Sequence, residues 1–352
     1  RGTDTELASQ LYEAVDNSNM PDVIITSSGT MALLAKSQAL ISLENYMALE
    51  TDVESDFEHA LSSLGACYGC NEGIYSIPYM IDSVGLWYNP SLLETLDIQN
   101  IPTTWEEFAD VCQYASGSLG TPAVLLIPDG RVALALVLSS GEKLTEAPPF
   151  FELGDATSDV LSTIQDLAWS SSILLETGME SAHDLFLEGD LLFCLAGTDF
   201  LSPEEIAESQ LKVAPLPQFD TLEATYLVYG WHIGISADPS ESRGSSWTLV
   251  NFLTSTQEAA QVAQISGHPP LSRLALSLLD TDTEQAQLTG SKANVFYDGE
   301  NIGESIVGID GIEAILSDVL VNITNGFYVP DEALKLAHSS ILRLLAYYGI
   351  TS

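Results

Sequence analysis

The chain has 352 residues, 46% of them hydrophobic, enough for two domains or one large one with sizeable cores. Its 50 acids against 10 bases give a net charge of −40, which argues against nucleic acid or anionic membrane as partners, since both require basic patches. A mean hydropathy of +0.17 excludes disorder for most of the chain, and no apolar run approaches the ~20 residues that span a bilayer.

No basic segment followed by an apolar one opens the sequence, so any export signal is expected to have been removed or left out. The charge reads as a solvated acidic coat. Thr5 to Val15 places Leu7, Leu11, Ala14 and Val15 on one face and predicts a helix. Pro21 to Thr26 reads as a buried, parallel-type strand, Ser27 to Thr30 as a polar turn at its carboxyl end, and Met31 to Ala39 as the following helix. Ligands gather outside the carboxyl ends of strands in open α/β sheets, so Ser27, Ser28 and Thr30 are candidate contacts. Helix capping by Ser28 or Thr30 explains them equally well. Leu40 to Leu64 reads as polar-faced helical pieces.

Cys67 and Cys70 have the C-x-x-C spacing of a redox or zinc half-site. Zinc would need a second pair, whereas Cys112 and Cys194 stand alone, and a thioredoxin-type pair opens a helix after a strand, whereas this one precedes a strand. A small-loop disulfide or two free thiols are the structural alternatives.

Gly73 to Cys112 is the most informative stretch. Ile74 to Tyr79 has strand-forming residues broken by Pro78, and Val84 to Tyr88 is a short apolar run of the buried-strand type. Asp82, between the two runs, reads as a turn residue or a ligand contact. Asn89 and Pro90 end the second run, and Ser91 reads as the cap of a helix. Thr103 or Thr104 caps the next helix, with Glu106 and Glu107 at its N-terminal dipole and Trp105, Phe108, Val111 and Cys112 as its buried stripe.

Further on, Pro122 to Ile127 predicts a strand ending in Pro128-Asp129-Gly130-Arg131, and Ala133 to Leu138 a short apolar helix. Leu144 to Asp155 reads as a loop or short hairpin. Ser158 to Trp169 reads as an amphipathic helix, Ala182 to Leu187 as a helix ended by Gly189, and Leu191 to Ala196 as a buried strand leading to Gly197-Thr198-Asp199-Phe200. Lys212 to Pro217 is an edge-type strand because its prolines cannot donate to a ladder. Tyr226 to Ser236 is a strand, Ser246 to Leu253 and Thr256 to Ile265 are helices, and the last ~40 residues read as two more. This alternation predicts an α/β chain with largely parallel sheets.

Catalytic motifs are missing: there is no H-E-x-x-H, G-x-S-x-G, Walker A or G-x-G-x-x-G after a strand, and the five histidines are scattered. A binding site for a sugar asks for different chemistry, with carboxylates and amides for hydroxyls and aromatic rings for the apolar C–H face. Asp82 with Tyr79, Asp129 with Arg131, Asp199 with Phe200, and Tyr229 with Trp231 meet that description at strand ends. Each has a plainer reading: Tyr79 as lobe packing, Asp129 as a turn, Trp231 as core. With Arg131 the one base on a candidate loop, a neutral carbohydrate or polyol is favoured over an anion, which normally takes an Arg fork or several donors. A cation such as a polyamine stays open, since acids with aromatics also suit it.

The run Gly73-x-Tyr75-x-x-Pro78-Tyr79, Asp82, Leu86-x-Tyr88-Asn89 and Pro102-x-Thr104-Trp105-Glu106-Glu107-Phe108 resembles the signature of extracellular solute-binding proteins of ABC importers, of the maltose and multiple-sugar type. Pro21 to Ile25, Phe186 to Gly189, Val213 to Pro217, Gly230 to Ile235, Trp247 to Ser255, Gly267-x-x-Pro270 and Gly326 to Leu334 continue it in order over about nine tenths of the chain. The resemblance implies a two-lobed periplasmic-binding-protein fold with an interlobe ligand cleft. Its lobes are residues 1–82 plus 231–284 and residues 83–230 plus 285–352, with crossings near Asp82–Val84, Tyr229–Ile233 and Leu279–Gln287. The family's first strand has no counterpart ahead of Arg1, so that strand is expected to be missing. The resemblance also implies an extracytoplasmic receptor, in periplasm or as a lipoprotein, that acts as a monomer without cofactor or catalysis and delivers a carbohydrate to a permease. Asp82 matches the family's ligand-contacting acid. A secreted carbohydrate-active enzyme is the second reading.

Overall fold

The computed structural model describes residues 4–48, 64, 67–71, 73–141, 145, 148–219, 224–237, 243–280, 283–297 and 300–351. The helical pieces expected over Leu40 to Leu64 therefore lie mostly outside the described residues, as does part of the loop expected from Leu144. Two compact units emerge: Arg1–Asp82, Val228–Gly290 and Asn301–Ile309 in the first, and Ser83–Leu227, Ser291–Glu300 and Asp310–Ser352 in the second.

In the first unit, strand β1 (Val23–Ser27) alternates in burial, and its two faces serve two cores. Ile24 joins Leu11 of the helix Asp4–Asp16 and Met31, Leu34 and Ala35 of the helix Ser28–Lys36. Val23 and Ile25 point the other way, against Leu43, Ile77, Ile233, Ile235 and Val250. This is the period-two alternation of a strand covered on both sides. The parallel pairing expected for β1 is not what forms: it runs antiparallel to the strand Thr225–Ile235, in register from Val23↔Ile235 to Ser27↔Trp231. Direction here is decided by a partner two hundred residues away. Ser27, neither Ser28 nor Thr30, caps the helix, its Oγ accepting from the Thr30 amide at 3.4 Å and donating to Thr30 Oγ1 at 3.1 Å. Cys67 and Cys70 form a disulfide, and Tyr68 between them bridges to Ile306.

Strand β2 (Ser76–Tyr88) is thirteen residues long and passes through Pro78 and Asp82 without a break. The two runs expected from sequence are one strand, and Asp82 is not a turn residue. The chain crosses from the first unit to the second within this strand, and returns within Thr225–Ile235.

The second unit is built on β3 (Val124–Leu126), β4 (Ile173–Leu175), β5 (Phe193–Gly197) and β6 (Lys212–Pro215) with the later half of β2. β3 is parallel to β4 and β5, whereas β2 is antiparallel to β5 and β6, so the sheet is mixed. The strand Thr225–Ile235 is β7, and β8 (Glu300–Gly303) pairs with it. Thr104 caps the helix Trp105–Leu119 in a capping box with Glu107, and Trp105, Phe108, Cys112 and Ala115 form the buried stripe. The helix Pro90–Thr95 is capped by Asn89, whose Oδ1 accepts from Ser91 and Leu92 amides, with Pro90 in the first turn. The cap expected at Ser91 sits two residues earlier. Apart from Arg131 the helix Gly130–Ser139 is buried, and a Cβ on Gly130 would stand 2.3 Å from that of Glu313, so the helix Ile309–Thr324 lies tight against it. Gln165, on the helix Asp155–Trp169, donates to the carbonyls of Ile323 and Tyr328 at 2.9 Å each and ties down the turn before the last helix, Pro330–Tyr347.

Candidate functional site

In the first unit the candidates are gathered by strand register. Ser27 ends β1 opposite Trp231 on β7. Beside Trp231, Gly230 has φ of +138°, and a Cβ there would meet the Met80 carbonyl oxygen at 2.2 Å. Only glycine lets β7 press onto β2 at this point, because the conformation is strained for other residues and the space is already taken. The contact lies two residues before Asp82 and next to Tyr79. Trp231 is half-buried, Tyr79 is half-buried and packs against the core around Ile77 and Ile233, and Tyr229 is buried. Burial pushes the Tyr79 phenol up, helped by the nearby carboxylate of Glu258 on the helix Thr256–Ser266. Ser28 is fully buried, and its hydroxyl has no hydrogen-bond partner among the described residues.

Asp82 is 3% exposed. Its carboxylate is paired with Nδ1 of His268, which follows the same helix. A buried carboxylate without such a partner would be costly, and the imidazole supplies the hydrogen bond that makes it tolerable. Sequence reasoning left His268 among the scattered histidines. The one local signal was its place in Gly267-x-x-Pro270. A second histidine, His232 on β7, is buried; its Nδ1 lies 3.0 Å from Ser76 Oγ, and desolvation pushes its pKa down to about 3.

In the second unit the candidates follow the carboxyl ends of two adjacent parallel strands, β3 and β5. Asp129 caps the helix Gly130–Ser139, its Oδ1 accepting from the Arg131 amide at 2.8 Å. The Arg131 guanidinium lies 3.8 Å from the Glu313 carboxylate, so its charge is balanced within the unit. Asp199 is exposed. Phe200 packs edge-on against His183, with ring centroids 5.6 Å apart, and tilted against Phe186. Thr198 and Ser83 exchange bonds, the Ser83 amide to Thr198 Oγ1 at 3.1 Å and the Thr198 amide to the Ser83 carbonyl at 2.7 Å. Ser83 Oγ also donates to the Leu227 carbonyl at 2.7 Å. The residues immediately after the first crossing and before the second are thus fastened together.

Among the described residues no group of three or more His, Cys, Asp or Glu is arranged to hold a metal ion, and no helix is long and apolar enough to cross a membrane.

Residues 3–260 match a family profile described as bacterial extracellular solute-binding protein. Among solved structures, the chain is similar to the sugar-binding protein MalE from Xanthomonas citri, with a TM-score of 0.79 at 18% identity over 97% of this chain and 88% of that one. It is similar to the cyclic alpha-maltosyl-1,6-maltose binding protein from Arthrobacter globiformis, with a TM-score of 0.79 at 14% identity over 98% and 89%. UgpB from Mycobacterium tuberculosis, solved in complex with glycerophosphocholine, gives 0.77 at 18% identity over 97% and 88%. At these identities the likeness establishes a shared fold, the two-lobed α/β fold of periplasmic binding proteins.

Proposed function

This chain belongs to the bacterial extracellular solute-binding proteins, and we propose that it is the receptor of an ABC importer for a carbohydrate or polyol. It works outside the cytoplasm as a monomer without catalysis, and hands its ligand to a membrane permease. What supports the ligand class is Ser27 opposite the half-buried Trp231, with the Tyr79–Asp82 stretch of β2 pressed against the neighbouring Gly230. Rings of this kind cover the C–H face of a sugar, and the polar groups answer its hydroxyls. Arg131, the base that could favour an anion, is balanced by Glu313. The sugar ligands in the names of MalE and the Arthrobacter protein support the same reading.

A cationic or choline-bearing ligand is the second reading, favoured by the same rings, by the net charge of −40 and by the ligand of UgpB. Thermal shift against maltose, maltotriose, sorbitol, glycerophosphocholine and spermidine separates them. A ligand at 100 times its Kd adds ~2.7 kcal/mol to stability. A shift with the sugars or sorbitol that persists at high salt is expected. A shift confined to spermidine, and lost on adding salt, would replace the carbohydrate reading with the cationic one.

A further inference from the structure

We propose that the Cys67–Cys70 disulfide is a thiol–disulfide exchange site, and that its state decides how firmly Asn301–Ile309, the chain's last passage through the first unit, is held. The proposal does not depend on the ligand. It concerns the C-x-x-C motif, which the binding site leaves unused.

A disulfide restrains the unfolded chain, and on the chain-entropy account its stabilising effect grows with the length of the loop it closes. These cysteines are only three positions apart, so the bond contributes little to global stability and acts locally. What it restrains is Tyr68. The Tyr68 amide donates to the Ser305 carbonyl at 2.9 Å, and its own carbonyl accepts from the Val307 amide at 3.0 Å, a parallel bridge centred on Ile306. Gly69, with φ of +88°, turns the chain after Tyr68 so that Cys70 can reach Cys67. Ile306 and Val307 are buried, and the Glu304 amide donates to the Val228 carbonyl of β7 at 3.3 Å. The chain enters the first unit at Asn301 and leaves it after Ile309, so the bridge at Tyr68 fastens a short segment between two passages.

The pair is also placed to change state. Cys67 and Cys70 are half-buried and Asn71 is exposed, so an attacking thiolate can reach them. Their sulfurs lie 3.9 and 3.4 Å from the Ala32 carbonyl oxygen, beside the core of Leu11, Ile24 and Met31. A disulfide sulfur has no hydrogen to give that oxygen, whereas a thiol does, so the fold accommodates both states. Cys112 and Cys194 differ: both are buried, and burial pushes their thiols well up, so neither competes as a nucleophile. In the exchange a thiolate of a dithiol attacks one sulfur and the other cysteine leaves as a thiolate. The second thiol of the reagent then displaces the first cysteine. Two electrons and two protons pass to the protein, and the reagent departs as a disulfide. Cleavage returns backbone freedom to residues 67–70, so the bridge to Ile306 opens more often.

Treating the native protein with dithiothreitol, then with N-ethylmaleimide, and weighing it intact reads the first half. Two labels are expected, at Cys67 and Cys70 by peptide mapping, against none without reductant. Labels without reductant would mean free thiols, and none after it would mean a bond that resists exchange in the fold. Labels at Cys112 and Cys194 as well would make the bond a staple of the whole fold. Each of these three results overturns the proposal. Hydrogen exchange on reduced, unlabelled protein reads the second half. Amides at 305–307 should exchange at least about tenfold faster than in the oxidised protein, with the helix Trp105–Leu119 unchanged. Equal rates at 305–307 would deny the disulfide its hold on the segment. The double variant Cys67→Ser, Cys70→Ser should reproduce the reduced pattern, and if it does not fold, the reduced wild type still decides.

Discussion

Lowering the pH should destabilise this protein in part through one buried group, His232. The ring is fully buried and its pKa is held at about 3, whereas an unfolded chain protonates histidine near 6.5. Between those values the unfolded state binds a proton that the native state refuses, so stability falls as pH falls. The contribution is complete above 6.5, is lost progressively below it, and stops changing below about 3. At 1.36 kcal/mol per unit, the loss on going from pH 7.5 to pH 5 is about 2 kcal/mol, and to pH 4 about 3 kcal/mol. Many carboxylates titrate over the same range, so the measurement must be a difference. His232→Asn keeps a polar group near Ser76 Oγ but cannot titrate. Urea unfolding of both proteins at pH 7.5 and 5, with unchanged m-values, isolates the histidine. The wild type should lose about 2 kcal/mol more than the variant over this interval. Parallel pH profiles for the two proteins would refute the reasoning.

Gly230→Ala should cost about 2–4 kcal/mol in urea unfolding, combining a left-handed backbone penalty with a clash against Met80, and a loss under about 0.5 kcal/mol would show that β7 can shift away. Gln165→Leu removes the side-chain donor shared by the Ile323 and Tyr328 carbonyls, the first of which keeps the Gly326 amide, and should cost about 1–3 kcal/mol, with faster amide exchange at 325–329; unchanged exchange there would deny Gln165 its clamping role. Thr104→Ala removes the cap of the helix Trp105–Leu119 and should cost about 1 kcal/mol, while Ser91→Ala should cost much less, since Asn89 is the cap of its helix. Equal losses in the last two would reverse that assignment.

What the sequence revealed and what it hid divides along the range of the forces involved. The capping box at Thr104 was legible because every group in it lies within four residues. The cap at Asn89 was misplaced by two residues, since a proline in the first turn moves the cap ahead of it and Ser91 has the same chemistry. Asp82 was the harder case. A charge between two apolar runs looks like punctuation, and nothing within thirty residues says otherwise. Its burial in a continuous strand depends on His268, 186 residues further on. The direction of β1 was lost for the same reason, being set by β7. Ser27 does end β1, but Tyr79 and Trp231, chosen by the same strand-end rule, lie inside long strands, and Tyr229 turned inward to the core.

The division of the chain also bears on how it is made. Neither unit is a continuous stretch: the first is finished only at Ile309, and the second needs the two last helices. Helix Gly130–Ser139 has its glycine against Glu313, and Gln165 waits for carbonyls 158 residues later. A nascent chain leaves the ribosome at roughly 5–20 residues per second, so these apolar surfaces stand uncovered for on the order of ten seconds or more. Such long sequence separations slow folding as well, because loop closure comes before the contacts that reward it. The acidic coat then has a use in the unfinished chain: like charges keep neighbouring nascent molecules apart until the last helix arrives.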